Sequence, residues 1–293
     1  MRNRKFFFSI LIGLAVLAII LSFIILRSQN ELLSVVFLDV GQGDAILISQ
    51  GSQQVLIDGG KDGKMLLEKL GKYIPFWDRK IETVIETHPD QDHIGGLIEV
   101  LQTYQIGSVL ETKMQNDSQT FKKLEETIAS KQIEKIEAKK GVALNFSAGA
   151  KLEILYPLET VINANSKDTN LASVVAKLTV GENSFLLTGD FPTTQDAQLL
   201  ASGQNLSANF LKVAHHGSKY ATSDGLLNAI KPNEAIISVG KKNSYGHPNP
   251  EVLQRLLSRK VKIFRTDEVG DIVYECQKEK LTDAEIVCQH KSI

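Results

Sequence analysis

Thr87-His88-Pro89-Asp90-Gln91-Asp92-His93-Ile94-Gly95-Gly96 is the segment from which the rest of the chain can be understood. The β-branched run Ile81 to Glu86 leads into it and predicts a strand. Its closing glycines lead into a predicted helix, Gly96 to Tyr104. Between the two, His88, Asp90, Asp92 and His93 gather imidazoles and carboxylates within a few residues. Side chains at alternate positions, His88, Asp90 and Asp92, can project from one side of an extended loop, while His93 turns into the helix start. Such crowding is electrostatically costly unless a cation is present. The bland alternative is a polar turn in which Asp92 caps the helix, but a cap needs one oxygen and not this many ligands.

The remaining histidines fall in a similar way. The chain has six, and His88, His93, His215, His216 and His247 lie in three short segments, each just after an apolar run. Imidazole is the side chain most used as a metal ligand. Leu211-Lys212-Val213-Ala214-His215-His216-Gly217-Ser218 again delivers imidazoles at the end of a predicted strand. Adjacent histidines point different ways, so one is expected to be a ligand and the other to support it or face substrate. Phe185-Leu186-Leu187-Thr188-Gly189-Asp190 ends a buried strand in a carboxylate that could bridge two ions or simply start a turn. Asn243-Ser244-Tyr245-Gly246-His247-Pro248 is rich in hydrogen-bond donors and suits anion recognition. His290, in a polar tail, is expected to be solvated.

Further strand signals cover Ser34 to Val40, Asp44 to Ser49, Gln53 to Ile57, Ile106 to Leu110, Ala150 to Tyr156, Ser173 to Val180, Ser184 to Thr188, Phe210 to Ala214, Glu234 to Val239 and Val261 to Arg265. Helix signals cover Gly63 to Tyr73, Ser118 to Lys131, Thr193 to Ser202, Ser223 to Ile230 and Pro250 to Arg259. Two halves that each begin with a meander and continue with β–α units predict one α/β (α+β) domain. Its two mixed sheets would pack face to face with helices outside, and ligands would sit where strands end in loops.

Residues Phe6 to Leu26 carry no charge and are long enough for a membrane-spanning helix. Arg2, Arg4 and Lys5 precede them and predict a cytoplasmic N-terminus. The expectation is a stub at 1–5, a single-pass signal-anchor at 6–26 and an extracellular hydrolase domain at 28–293. A cleaved signal peptide is the alternative, but the run is long for one and no small-x-small cleavage site follows. The whole chain has a net charge of −1, with 43% hydrophobic and 23% charged residues. This composition excludes a disordered tail or a disulfide-stapled mini-domain. Without Arg2, Arg4, Lys5 and Arg27 the remainder is mildly acidic, so it is not a general polyanion binder. Cys276 and Cys288 end short apolar stretches that could pair as a hairpin, as a disulfide or as two free thiols.

The segment His88-x-Asp90-x-Asp92-His93 resembles the His-x-His-x-Asp-His signature of the metallo-β-lactamase fold. The motifs Phe37-Leu38-Asp39-Val40-Gly41-Gln42-Gly43-Asp44, Leu56-Ile57-Asp58-Gly59-Gly60, Leu187-Thr188-Gly189-Asp190, His215-His216-Gly217-Ser218, Gly246-His247-Pro248 and Phe264-Arg265-Thr266-Asp267 extend the likeness. In combination they resemble the soluble domain of ComEC-type competence proteins, and are similar to phosphorylcholine esterases of the same fold. The resemblance implies a four-layer αββα sandwich and two divalent ions, Zn or Mn. His88 and Asp90 would bind the first metal, Asp92 and His93 the second, Asp190 would bridge, and His215 or His216 would complete the second site. Asp90 replaces the usual histidine, and Asp168 to Ser173 offers only oxygen ligands where the superfamily supplies another imidazole. That swap shifts preference from Zn²⁺ toward Mn²⁺ or Mg²⁺.

The implied activity is hydrolysis of a phosphodiester (DNA, a nucleotide or an envelope polymer) by a hydroxide that the ions hold. Asp92 would orient the hydroxide. Ser218, Asn243 and His247 would bind a phosphate oxygen, with His247 alternatively protonating the leaving group. Hydrolysis of a β-lactam or thioester, and a non-catalytic surface binding module, are competing readings. A dead site would be expected to have lost Asp92, His93 or Asp190, and all are present. With a single expected span, the chain would not itself form the channel of the competence proteins, so a role in uptake does not transfer. No protein partner can be inferred.

Overall fold

The computed structural model describes residues 2–147, 149–161, 168–278 and 286–291, with side chains described throughout except at 2, 3, 5, 22–31 and 278. The first half contains helix α1 (Arg2–Glu31), strands β1 (Leu33–Phe37), β2 (Ile46–Gln50) and β3 (Gln53–Ile57), then α2 (Gly63–Tyr73), β4 (Lys80–Ile85), α3 (Gln91–Ile94), α4 (Leu97–Thr103), β5 (Gln105–Glu111), α5 (Gln119–Ser130) and β6 (Glu134–Glu137). The second half contains β7 (Ala143–Asn145), β8 (Lys151–Tyr156), β9 (Val175–Val180), β10 (Asn183–Leu187), α6 (Asp196–Ala201), β11 (Phe210–Lys212), α7 (Asp224–Ile230), β12 (Glu234–Ile237), α8 (Pro250–Ser258), β13 (Lys262–Arg265) and α9 (Thr266–Val269). A terminal hairpin, β14 (Ile272–Lys278) and β15 (Ile286–Lys291), completes the chain's described strands.

The strands form two mixed sheets, ordered β15-β14-β1-β2-β3-β4-β5-β6 and β13-β12-β11-β10-β9-β8-β7. Three apolar clusters define the layering. One lies between the sheets and includes Phe37, Ile48, Leu152, Leu178, Phe185 and Tyr274. A second joins the first sheet to α2, α4 and α5 through Leu66, Leu70, Leu101, Phe121 and Leu124. The third joins the second sheet to α6, α7 and α8 through Leu199, Leu226, Leu227, Val252 and Leu256. Each sheet therefore buries both faces, and the expected αββα arrangement is what the residues form.

Within these sheets β3 to β6 run parallel, as do β10 to β13. Their C-terminal ends bring Asp58, His88, Asp190 and His215 to one edge of the sandwich. Helix starts follow local chemistry. Asp62 caps α2 by accepting from the backbone N–H of Lys64 and Met65, and Ser118 caps α5 through Phe121.

Several boundaries differ from the sequence expectation. The strands β6 and β7 were not expected, because Glu134 to Glu137 is charged and Ala143 to Asn145 is short. Both lie at sheet edges, where polar residues discourage further pairing. His290 is not solvated: it lies on β15, half-buried, with its ring 4.2 Å from that of Phe264 and 5.6 Å from Tyr274. The cysteines face each other in the β14–β15 register and form a disulfide. The expected span Phe6–Leu26 falls within α1, and the side chains of 22–26 lie outside the described residues. Among the described residues, no helix is long and apolar enough to cross a membrane.

Candidate metal centre

The loop after β4 carries His88, Asp90, Asp92 and His93 over the end of the first sheet, and close backbone contact fixes its position. A Cβ on Gly43 would fall 2.1 Å from the Asp92 carbonyl oxygen, and one on Gly96 would fall 2.1 Å from that of Gly59. Only glycine allows these approaches. The loops after β1 and β3 thereby pack directly beneath the histidine loop, with Gly59 N–H donating to the His93 carbonyl at 2.7 Å.

From the second sheet, Gly189 adopts φ 48° and delivers Asp190, whose N–H is held by the Ser173 hydroxyl at 3.2 Å. After β11 the chain makes a tight left-handed turn, with φ 50° at His215, 53° at His216 and 81° at Gly217. Consecutive left-handed non-glycine residues are strained, and such strain collects at functional sites. The turn sets the two imidazoles nearly perpendicular, at 84°.

Among the described residues, four groups have ligand atoms within 4.8 Å of one another, and two of them are His88, His93 and Asp190, and Asp92, His93 and His216. Asp190 also groups with Asp44 and His216, so its carboxylate lies between the two sets. His216, rather than His215, joins Asp92. Its Nε2 is 3.4 Å from Asp92 Oδ2 and its Nδ1 is 2.9 Å from the Ser238 carbonyl. His215 approaches Asp190 at 3.6 Å from a more open position, with its other ring nitrogen 3.4 Å from the Asn170 amide. Asp90 lies 3.7 Å from His88 Nε2 and accepts a hydrogen bond from the Thr169 hydroxyl. The oxygen-bearing segment Asp168 to Ser173 thus does reach the site.

The donor set fits divalent cations. His88 Nε2, His93 Nε2, His216 Nε2 and Asp190 Oδ1 are all buried, and none has a hydrogen-bond partner. Buried polar atoms of this kind cost free energy unless something binds them. The electrostatics agree. Burial and the neighbouring His93 push the His88 pKa down to about 4, leaving a neutral imidazole ready to ligate. Burial alone would also lower His216, but Asp190, Asp44 and Asp92 outweigh it and raise it to about 10. Burial opposes Asp92 ionisation, yet His216 and His93 hold its carboxyl below the usual range. Without a metal, protons on the imidazoles supply the positive charge that this carboxylate cluster demands.

Several residues that shape the site had no role assigned from sequence. Asp58 accepts from His93 Nδ1 at 2.8 Å, from the Thr87 N–H at 2.8 Å and from the Thr87 hydroxyl at 2.7 Å, so it fixes the ring whose Nε2 faces the cluster. Asp44 accepts from the fully buried Lys212 at 2.7 Å and lies 3.4 Å from His216 Nδ1. Signals existed for both: Asp58 directly follows a strand, and one lysine lies inside the apolar run Phe210 to Ala214 as a buried partner for Asp44. Asp58→Asn is expected to lower metal affinity by about 10–100-fold while leaving the fold intact, because it disturbs ring orientation and basicity without removing a ligand. Calorimetric titration with Zn²⁺ or Mn²⁺ checks this, and unchanged affinity would refute the orienting role.

Of the residues expected to bind substrate, Ser218 is buried and its hydroxyl accepts from the Tyr220 N–H at 3.4 Å. Both amide hydrogens of Asn243 are engaged inside its own loop, by the carbonyls of Gly240 at 2.9 Å and His247 at 2.8 Å. Its oxygen accepts the His247 N–H. Asn243 therefore shapes the loop and has no free amide hydrogen to donate to substrate. His247 is half-buried, with its ring 5.8 Å from that of His215 and its Nδ1 buried without a partner.

A two-sheet sandwich with a buried His/Asp cluster at the ends of its parallel strands is the architecture of the metallo-β-lactamase fold, with side chains placed to hold divalent metals. The chain belongs to the metallo-beta-lactamase superfamily, whose family model matches residues 38–241. It is related to competence proteins: it is 32% identical over 273 residues to the ComE operon protein 3 of Bacillus subtilis, covering 85% of this chain and 33% of that protein. It is 30% identical over 238 residues to the Recombination protein 2 of Haemophilus influenzae, covering 80% of this chain and 28% of that protein. The chain thus spans about a third of the length of these relatives. Among solved structures, a variant of the CmlA beta-hydroxylase shares the fold with a TM-score of 0.51 at 11% identity, over 82% of this chain and 53% of that one.

Proposed function

We propose that this protein is a membrane-anchored, outward-facing phosphodiesterase that uses two divalent cations. The observation that carries the reading is the set of unpartnered buried ligand atoms on His88, His93, His216 and Asp190 beside the carboxylates of Asp90 and Asp92. His88, Asp90 and Asp190 would hold one ion, and Asp92, His93, His216 and Asp190 the other. His215 stands beside the open side of Asp190. The balance of carboxylate and imidazole suits Mn²⁺ as well as Zn²⁺. Cations held there would acidify water and neutralise charge developing on phosphorus.

The chain's own residues supply the rest. Asp92, ionised and half-buried, would accept a hydrogen bond from the attacking water and orient it. Burial, together with His215 and His216, lowers the His247 pKa, so this imidazole is neutral at neutral pH. A neutral imidazole is a poor acid but a good N–H donor, which suits holding a non-bridging phosphate oxygen. Exposed Lys219 and Tyr220 follow the His215-His216 turn, and exposed Lys241, Lys242 and Tyr245 precede His247. The Tyr245 and His247 rings stack at 5.9 Å. Lysines for phosphates and aromatic faces for bases favour a nucleic acid or nucleotide over a β-lactam.

The anchor rests on α1. Its described side chains from Phe6 to Leu21 include large apolar groups that are 45–70% exposed, a surface that water does not favour. With Arg2, Arg4 and Lys5 on the cytoplasmic side, the hydrolase domain would lie outside the cell membrane.

The test is hydrolysis of bis(p-nitrophenyl) phosphate by the full chain loaded with Mn²⁺ or Zn²⁺. A chelator should abolish turnover, and Asp92→Ala should lower it by about 10²–10³-fold. A metal-replete protein as inert as its Asp92→Ala variant would instead make it a binding module.

A further inference from the structure

The connection between α2 and β4 carries Pro75-Phe76-Trp77-Asp78-Arg79. Phe76 is 78% exposed and Trp77 71%, and their rings touch edge to face at 4.9 Å. Two large aromatic side chains held out in water at one tip have no role in the fold core or the metal centre. The loop itself is well fixed. Asp78 accepts from the buried Gln54 amide at 2.9 Å, the Asp78 N–H donates to the Pro75 carbonyl at 2.8 Å, and the Arg79 carbonyl accepts from Gln105 N–H at 2.8 Å. The tip is therefore a rigid projection.

Its place in the sandwich indicates its partner. β1 is antiparallel to β2 and β2 to β3, so β1 runs in the same sense as β3, β4 and β5. Leu33, the first residue of β1, pairs with Gln50, and Gln50 pairs with Gln53 beside Gln54. The aromatic tip, tied to Gln54, thus sits on the same edge of the sheet at which α1 hands the chain to β1. Two strand spacings, roughly 10 Å, separate Leu33 on β1 from Gln54 on β3, to which the tip is tied. Exposed Arg79 and Lys80 adjoin the aromatic pair. Aromatic rings with flanking cations form the usual surface for the headgroup region of a bilayer.

We infer that Phe76 and Trp77 insert into the membrane interface beside the anchor and dock the domain on the lipid surface. This rests on the anchor reading above. It also deepens the functional reading, because the metal centre lies at the other edge of the sheet, past the six residues of β4, roughly 20 Å away. The docked site faces away from the bilayer. Its substrates are then water-soluble or wall-borne phosphodiesters and not the headgroups of the membrane to which it is fixed.

Trp77 is the only tryptophan in the chain, so its fluorescence reports this tip alone. The full chain would be reconstituted into vesicles of phosphatidylcholine and phosphatidylglycerol, with flotation of the same sample as the measure of anchoring. Docking predicts a blue-shifted Trp77 emission that loses most of its intensity to lipid brominated near the headgroup end of its chains and little to aqueous iodide. Phe76→Ser, an exposed change that leaves phosphodiester hydrolysis unaltered, should partly restore iodide quenching while flotation persists. Protein that floats with Trp77 quenched by iodide and not by brominated lipid would overturn the docking and leave the anchor standing. Protein that floats with Trp77 shielded from both quenchers would mean that the tip packs on another copy, which also overturns it. Protein that does not float would overturn anchor and docking together.

Discussion

Asp190→Ala is expected to lower kcat/KM for a phosphodiester by about 10³-fold or more, equivalent to roughly 4 kcal/mol of transition-state stabilisation. Among the described residues, no other side chain approaches so many of the imidazoles. Asp190 Oδ1 lies 3.4 Å from His93, and Oδ2 lies 3.6 Å from His215, 3.7 Å from His216 and 3.9 Å from His88. Burial opposes its ionisation, but His216 and His93 outweigh that and hold its carboxyl well below the usual range, so it stays an anion. Its loss removes a ligand from both expected ion positions, and bound metal should fall along with turnover. The isosteric Asp190→Asn controls for folding, since it preserves the shape of a nearly buried residue while removing the charge. A variant retaining activity within tenfold of wild type, with unchanged metal content, would be incompatible with a bridging role.

The largest stability effect is expected at Lys212, a fully buried lysine on β11 whose ammonium is 2.7 Å from Asp44 and 3.0 Å from the Val213 carbonyl. Lys212→Met fills the space with apolar atoms but strands the Asp44 carboxylate in the interior. Removing one partner of a buried pair costs about 3–5 kcal/mol, which lowers Tm by roughly 10 °C in a domain of this size. Replacing both partners, Lys212→Met with Asp44→Leu, should recover much of this loss, because no uncompensated charge remains. Burial raises the Asp44 pKa, but Lys212 and His216 outweigh it and depress the carboxyl strongly. The contribution is thus complete above the ordinary carboxylate range and is lost as the pH falls through the depressed value. The gap between wild type and Lys212→Met should therefore be full at neutral pH and close only in strong acid. Urea unfolding followed across pH measures it, and a difference under about 1 kcal/mol at neutral pH would show that the pair does not hold the interior together.

Much of this could be read from residue order because the fold places its chemistry at strand ends. An apolar run followed by His88, Asp190 or His215 is visible without coordinates, and so is the glycine that lets each loop approach its neighbour. What residue order does not contain is backbone conformation and register. The choice between His215 and His216 depends on a left-handed turn that nothing in His-His-Gly-Ser announces. The Cys276–Cys288 bridge depends on the pairing of β14 with β15, which spacing alone left open. Asn243 looked like a free donor because its partners are the carbonyls of its own loop. Asp44 and Asp58 were visible in their motifs, but their work is to hold a lysine and two imidazoles brought together from both sheets. Strands β6 and β7 carry no strand signal because edge strands need little apolar pattern.

Side chains from three separate loops, those after β4, β10 and β11, converge to bind divalent cations. Anomalous diffraction at the zinc edge, from crystals of the full chain grown with Zn²⁺, addresses this directly. The account predicts density within about 2.0–2.2 Å of His88 Nε2, His93 Nε2, His216 Nε2 and an Asp190 oxygen. Crystals in excess zinc that show no anomalous peak at bonding distance from these atoms would contradict it.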